Sequence, residues 1–163
     1  MILLISGCEL AETEKIIDID TSCVIEAEKE VKGDSMEPLI KQGEILILME
    51  GYYSCNEIER GDIVAYDYGG NKNPIIKKIM VLGGDTLEFN DNVLLVNKEP
   101  LKNSEDKIYE FSEQEKRMIG LYIKDNKLVN SAFLIFGENI NNGLDSRKFG
   151  AVGKNDFLGK FKK

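Results

Sequence analysis

Ser35 stands two residues after Gly33 and three before Pro38, in Lys32-Gly33-Asp34-Ser35-Met36-Glu37-Pro38-Leu39. Glycine allows close backbone approach and proline stiffens the exit, so this turn could present a nucleophilic hydroxyl. A serine in such a turn is usually only a turn residue, and a nucleophile also needs a base. The chain has no histidine. That excludes the Ser-His-Asp triad, the Cys-His pair and His-based zinc sites. Carboxylates and lysines remain. A lysine acts as a base only when neutral, so burial must pull its pKa from ~10.4 toward ~7–8. Lys77 lies among Pro74, Ile75, Ile76, Ile79, Met80 and Val81. In a strand Lys77 and Lys78 point to opposite faces. One can be buried while the other is solvated, or both can sit exposed near an edge.

The elements that would position these residues are mostly strands. Glu44–Met49 is apolar on both faces and reads as a central strand. Asp62–Tyr66 and Pro74–Val81 read as a hairpin around the turn-rich segment from Tyr68 to Asn73. Asp85–Phe89, Val93–Val96 and Ala132–Phe136 are further strands, and Leu121–Val129 folds back at Lys124-Asp125-Asn126-Lys127. Ile16, Ile17 and Ile19, then Val24 and Ile25, suggest short strands near the start. The charged stretch 102–118 is either a surface helix or an excursion from the core. The expected fold class is mainly β.

The ordered segments carry a resemblance. Gly33-Asp34-Ser35-Met36-Glu37-Pro38, Arg60-Gly61-Asp62-Ile63-Val64, Lys77-Lys78-Ile79 with Gly84-Asp85, Val93 to Lys98, and Leu144 to Gly150 occur in turn. From about residue 31 to 160 the set resembles type I signal peptidases, Ser/Lys proteases that cut signal peptides from exported preproteins. The first three segments also resemble self-cleaving repressor proteases. The resemblance implies a β-rich catalytic core at 31–85 and 131–163, a smaller inserted β region at 86–130, and a lead segment at 1–30. It implies Ser35 as nucleophile and Lys77 as general base, with Lys78 where the family usually has arginine. Met36 and Gly33 would touch substrate, the oxyanion resting on backbone N–H groups such as that of Ser35. Asp145 and Arg147 would brace the site as a pair near the surface. No cofactor or metal is implied.

Departures from the family pattern cluster near the end. Gly137-Glu138-Asn139-Ile140-Asn141-Asn142-Gly143-Leu144-Asp145-Ser146-Arg147 has Gly143 where a serine hydroxyl orients the lysine, and Ile140 in place of an arginine. Without that hydroxyl Lys77 is expected to move more freely and to be more hydrated. The alternatives are a weak or inactive peptide-binding relative and a self-cleaving regulator. The latter would need an Ala-Gly or Cys-Gly bond upstream of Ser35, and neither dipeptide is there.

Composition narrows the partners. The 163 residues carry 21 Lys plus Arg against 29 Asp plus Glu, a net charge of −8. Such a chain is not expected to bind nucleic acid or to adhere electrostatically to anionic lipid. The resemblance implies signal-peptide-bearing preproteins as partners and a catalytic domain on the extracytoplasmic face of a membrane. The longest apolar stretch, Met1–Ile5, is far below the ~20 residues of a span, so the chain as given is expected to be soluble. Ile5-Ser6-Gly7-Cys8 looks like the end of a lipoprotein signal, or else a buried first strand. Cys8, Cys23 and Cys55 form no C-x-x-C, and their odd number leaves the redox compartment unread.

Overall fold

In a computed structural model, residues 20–69, 73–141 and 143–162 are described. The expectations for Met1–Ile5, Cys8 and the isoleucines at 16, 17 and 19 fall outside them. β1 (Ile25–Glu30), β2 (Ile45–Glu50), β3 (Ile63–Tyr66), β4 (Ile75–Val81), β10 (Ala132–Phe136), β11 (Val152–Gly153) and β12 (Phe157–Phe161) form one sheet. Its order is β1-β2-β12-β3-β4-β10-β11, and every pairing is antiparallel. β1 is therefore an edge strand.

Between β4 and β10 the chain builds a smaller unit. β5 (Leu87–Asn90), β6 (Val93–Val96) and β7 (Glu99–Pro100) make a three-stranded sheet, and β8 (Ile123–Lys124) pairs with β9 (Lys127–Leu128). Two-residue turns close β6 to β7 and β8 to β9. Asn97, Lys98, Asp125 and Asn126 all have positive φ there, as the twist of a tight hairpin requires. The charged stretch resolves into extended chain followed by α1 (Glu113–Gly120), because Ser112 and Glu115 cap each other's backbone N–H. Leu87, Leu94, Tyr109, Phe111 and Ile119 pack with Val81, Leu134 and Phe136 of the main sheet. The unit thus shares its core with β4 and β10.

The main sheet has apolar residues on both faces. Met49, Tyr52, Tyr53, Val64, Ile79, Ile135 and Phe157 pack on one. Val31, Met36, Leu48, Ile63, Ala65 and Phe161 pack on the other, with Leu46 and Ile76 at its margin. β12 inserts between β2 and β3 and closes this sheet. A Cβ at Gly159 would lie 2.2 Å from the Met49 carbonyl oxygen and 2.8 Å from its carbon. Glycine is what lets the two backbones come this close. Cys23 and Cys55 form a disulfide with Cα atoms 6.1 Å apart, so the pairing the composition left open is settled for these two.

Gly159→Val tests the closure. The clash is with backbone and cannot be relieved by a side-chain rotation, so the variant should lose about 3 kcal/mol of unfolding free energy in urea. A loss below about 1 kcal/mol would mean that β12 can slide along β2 without penalty.

Candidate active site

The Ser35 turn is anchored from beneath. Met36, 1% exposed, sits in the apolar layer with Val31, Leu48 and Phe161. Its carbonyl accepts the Ile40 N–H, and the Asp34 carbonyl accepts that of Glu37. Gly33 has φ +86°, with open space where a side chain would stand. On the other side Asn139 N–H donates to the Ser35 carbonyl at 3.0 Å. Residue 137 must be glycine for that contact, since a Cβ there would sit 2.6 Å from the same oxygen.

Lys77 and Lys78 separate as a strand requires. Lys77 is 2% exposed, and its Nζ lies 2.8 Å from Ser35 Oγ and 2.8 Å from the Ile76 carbonyl oxygen. Burial pushes its pKa down to about 8; Asp145 pulls it up and Arg147 pushes it down. At that value an appreciable share of the amine is neutral near pH 8 and can take a proton from the serine hydroxyl. Lys78 points the other way and donates to Glu138 at 2.9 Å. Glu138 is 1% exposed. Its second oxygen accepts the Ser104 N–H at 2.7 Å, and its carbonyl accepts Asn103 Nδ2 at 2.9 Å. Burial alone would raise the Glu138 carboxyl; the Ser104 N–H and Lys78 outweigh it and hold it below the ordinary range. Glu138 thus ties the smaller unit to the loop against Ser35. The resemblance gave it no role. An acid following glycine at the end of an apolar strand was the available signal.

Asp145 and Arg147 form a two-pronged pair, Nε to Oδ1 at 3.0 Å and Nη2 to Oδ2 at 2.8 Å. The expectation of a surface pair is corrected: Asp145 is fully buried and Arg147 7% exposed. Asp145 caps α2 (Ser146–Phe149) and accepts the Gly137 N–H, while Arg147 Nη1 donates to the Ile140 carbonyl. The pair thereby pins both ends of the 137–147 loop. Gly143 stands beside the same pair. A Cβ there would meet Asp145 Oδ2 at 3.0 Å and Arg147 Nη2 at 3.4 Å, ahead of any atom of Lys77. Nor is Lys77 hydrated, because the apolar layer covers it and the Ile76 carbonyl holds its Nζ.

A cleft of about 490 Å³ opens beside Ser35 and Lys77. Consecutive residues line it on both sides, Glu28–Gly33 from β1 and its exit, and Asn73–Lys77 from the start of β4. Consecutive lining means that strand edges, rather than one side-chain face, border the space. β10 pairs with β4 only from Lys78 onward, so that edge of Ile75–Lys77 is open. Leu48, Ala65, Ile76 and Phe161 contribute apolar side chains to the lining. Among the described residues, no three Cys, Asp or Glu side chains converge as metal ligands would.

Comparison with known proteins gives one consistent set. The signal peptidase family, peptidase S26, matches residues 19–163. Signal peptidase IB of Staphylococcus aureus (strain COL) is 29% identical over 140 residues, covering 80% of this chain and 72% of that protein. Signal peptidase I of Bacillus caldolyticus is 26% identical over 135 residues, covering 80% and 74%. A crystal structure of a signal peptidase I from Enterococcus faecalis V583 aligns with a TM-score of 0.48 at 20% identity, over 66% of this chain and 98% of that one.

The Glu138 bridge has a measurable weight. Glu138→Ala leaves the Lys78 ammonium half-buried and the Ser104 N–H without its acceptor, and should cost about 3 kcal/mol in chemical unfolding. Glu138→Gln keeps an acceptor and should cost less. Equal losses would show that charge, not hydrogen bonding, holds the loop.

Proposed function

This chain belongs to the signal peptidase family, and on that footing we propose that Ser35 is its nucleophile and Lys77 its general base. It is a serine endopeptidase that cleaves signal peptides. The observation that carries the assignment is the 2.8 Å approach of a buried amine to Ser35 Oγ.

The substrate lies extended between the edges of β1 and the start of β4, adding its backbone to both. Neutral Lys77 takes the Ser35 hydroxyl proton as Oγ attacks the scissile carbonyl. The Ser35 N–H, which has no partner among the described residues, donates to the oxyanion. Lys77 then gives its proton to the leaving amine, and the signal peptide remains as an ester on Ser35. Water, deprotonated by the same amine, cleaves that ester and restores both side chains. Met36 supports the cleft from below, and Gly33 leaves room beside Ser35 for substrate backbone. Asp145 and Arg147 hold the loop that abuts Ser35.

Signal-peptide-bearing preproteins are the substrates in this reading, and the catalytic domain works on the extracytoplasmic face of a membrane. The Cys23–Cys55 disulfide supports that side, since such bonds persist in oxidising compartments. No helix among the described residues is long and apolar enough to cross a membrane.

Ser35→Ala and Lys77→Met should each lower cleavage of a signal-peptide substrate by at least about 10³-fold, while Lys78→Arg stays active. Activity of the native enzyme should rise with pH through a single step near 8, because the neutral amine is the base. Stability moves with pH in the same direction, through the same group. The folded pKa lies below the ordinary lysine value, so the unfolded chain binds the extra proton between about 8 and ~10.4. Stability therefore falls as pH drops through that window, by about 3 kcal/mol in all. Lys77→Met should raise the midpoint of thermal unfolding at pH 7 while abolishing cleavage. A less stable Lys77→Met, with a pH-independent native rate, would remove Lys77 from the role.

Gly143→Ser should leave the rate within about threefold, because Lys77 already has the Ile76 carbonyl. A rise of about tenfold would show that a hydroxyl at 143 reaches the amine despite Asp145 and Arg147.

A further inference from the structure

The cleft has one wall that is held along one side only, by the six-residue ladder of β1 with β2. β1 has a single neighbour, β2, and its other edge faces the substrate space. Of its six residues only Ala27 is even half-buried, and Ile25 is 70% exposed. Its ion pairs, Lys29 to Glu50 and Lys162 to Glu26, are exposed on both sides and weak. The end of β1 nearest Ser35 is fixed by Val31, buried and bonded in both directions to the 43–44 turn. The far end is fixed differently. There Cys23 is bonded to Cys55. Beside the bridge Asp20 N–H donates to Asn56 Oδ1 at 3.1 Å, and Asn56 Nδ2 donates back to the Asp20 carbonyl at 2.8 Å. Cys55 directly follows a helical turn, Tyr52–Ser54, whose two tyrosines are buried in the core. Gly51, at φ +77°, makes room for the crossing, since a Cβ there would lie 2.6 Å from the Cys23 carbonyl oxygen.

We infer that the Cys23–Cys55 disulfide is the clamp that seats β1 as the substrate-binding wall, so that oxidation of this pair switches substrate affinity. The inference rests on the reading that the signal peptide adds to the β1 edge. The bridge lies about five residues before the cleft-lining segment and touches neither Ser35 nor Lys77. Its loss should loosen peptide binding and leave the chemical step alone. A dithiol reductant attacks one sulfur, forms a mixed disulfide, and closes to its own cyclic disulfide. Two electrons and two protons pass to the protein, leaving two thiols. In a reducing compartment the wall is unseated and the enzyme binds substrate weakly. Outside, a disulfide-bearing oxidant exchanges with the two thiols, takes up their two electrons and two protons as its own dithiol, and leaves the bridge closed and the enzyme engaged.

The experiment uses the full chain carrying Cys8→Ser, which removes the third thiol, assayed on a signal-peptide substrate with and without excess dithiothreitol. Thiol titration should find none before reduction and two after. Reduction should raise KM about tenfold with kcat within about twofold. Cys55→Ser should reproduce that split without reductant. Peptide affinity for the Ser35→Ala form should fall by the same factor on reduction. That binding arm needs no turnover, so it still tests the clamp if Ser35 proves not to be the nucleophile. Free thiols before reduction would overturn the proposal. So would an unchanged KM with only a lower melting temperature, which would mark the bridge as merely stabilising. Global unfolding on reduction would overturn it too, because the bond would then hold the whole fold rather than one wall.

Discussion

The proposed chemistry needs a neutral amine next to a serine hydroxyl, in a place where water would charge it. That requirement explains more of this structure than any other single contact. In the proposed mechanism Lys77 cannot gain a counter-ion of its own, because a carboxylate paired to it would hold the proton that such a base must be able to lose. It cannot be left wet for the same reason. The fold meets both conditions by placing it on an inner strand, β4, between residues of the apolar layer, and by giving its Nζ a carbonyl rather than an acid.

The nearest acid shows how narrow this arrangement is. Asp145 is fully buried and acts to raise the Lys77 pKa. Alone, it would favour an ammonium beside Ser35. Arg147 engages both of its oxygens and acts on Lys77 in the opposite sense. With the two charges opposed, burial is left as the deciding influence. The pair therefore serves electrostatics as much as geometry. A buried pair of this kind is seldom a net source of stability, since desolvation offsets the attraction. Its value here is that it holds Gly137 and Ile140 in place and that Arg147 opposes the pull of Asp145 on the amine.

Reading these features from residues alone succeeded where a local pattern dictates the outcome. The strands at β2, β3, β4, β6 and β10 follow from apolar runs between turn residues, and the opposed directions of Lys77 and Lys78 follow from the strand period. β12 escaped notice although it lies between β2 and β3. Phe-Leu-Gly-Lys-Phe carries a glycine at its centre, and its two phenylalanines pack into different apolar layers. Its register comes from backbone contact with β2, which no hydrophobic pattern announces. The burial of Asp145 and Arg147 was equally hidden, because two charged residues separated by one serine look like surface. The Cys23–Cys55 pairing depends on Gly51 allowing two distant segments to cross. At Gly143 the groups nearest a side chain would be those of the Asp145–Arg147 pair, a neighbourhood that the linear sequence does not reveal.

That neighbourhood bears on how the proposed site would do without a hydroxyl at 143. A base held by one side-chain hydroxyl would be released when the hydroxyl is lost. Lys77 is instead fixed by a carbonyl of its own strand and by the apolar layer around its stem, while the Ser35 turn is fixed by Met36 below and Asn139 beside it. Each constraint comes from a different element and none runs through residue 143. The glycine at 137 is the less replaceable of the two, because any side chain there would push the loop off the Ser35 carbonyl. At these two glycines the limit on a side chain is main chain at 137 and the fixed Asp145–Arg147 pair at 143.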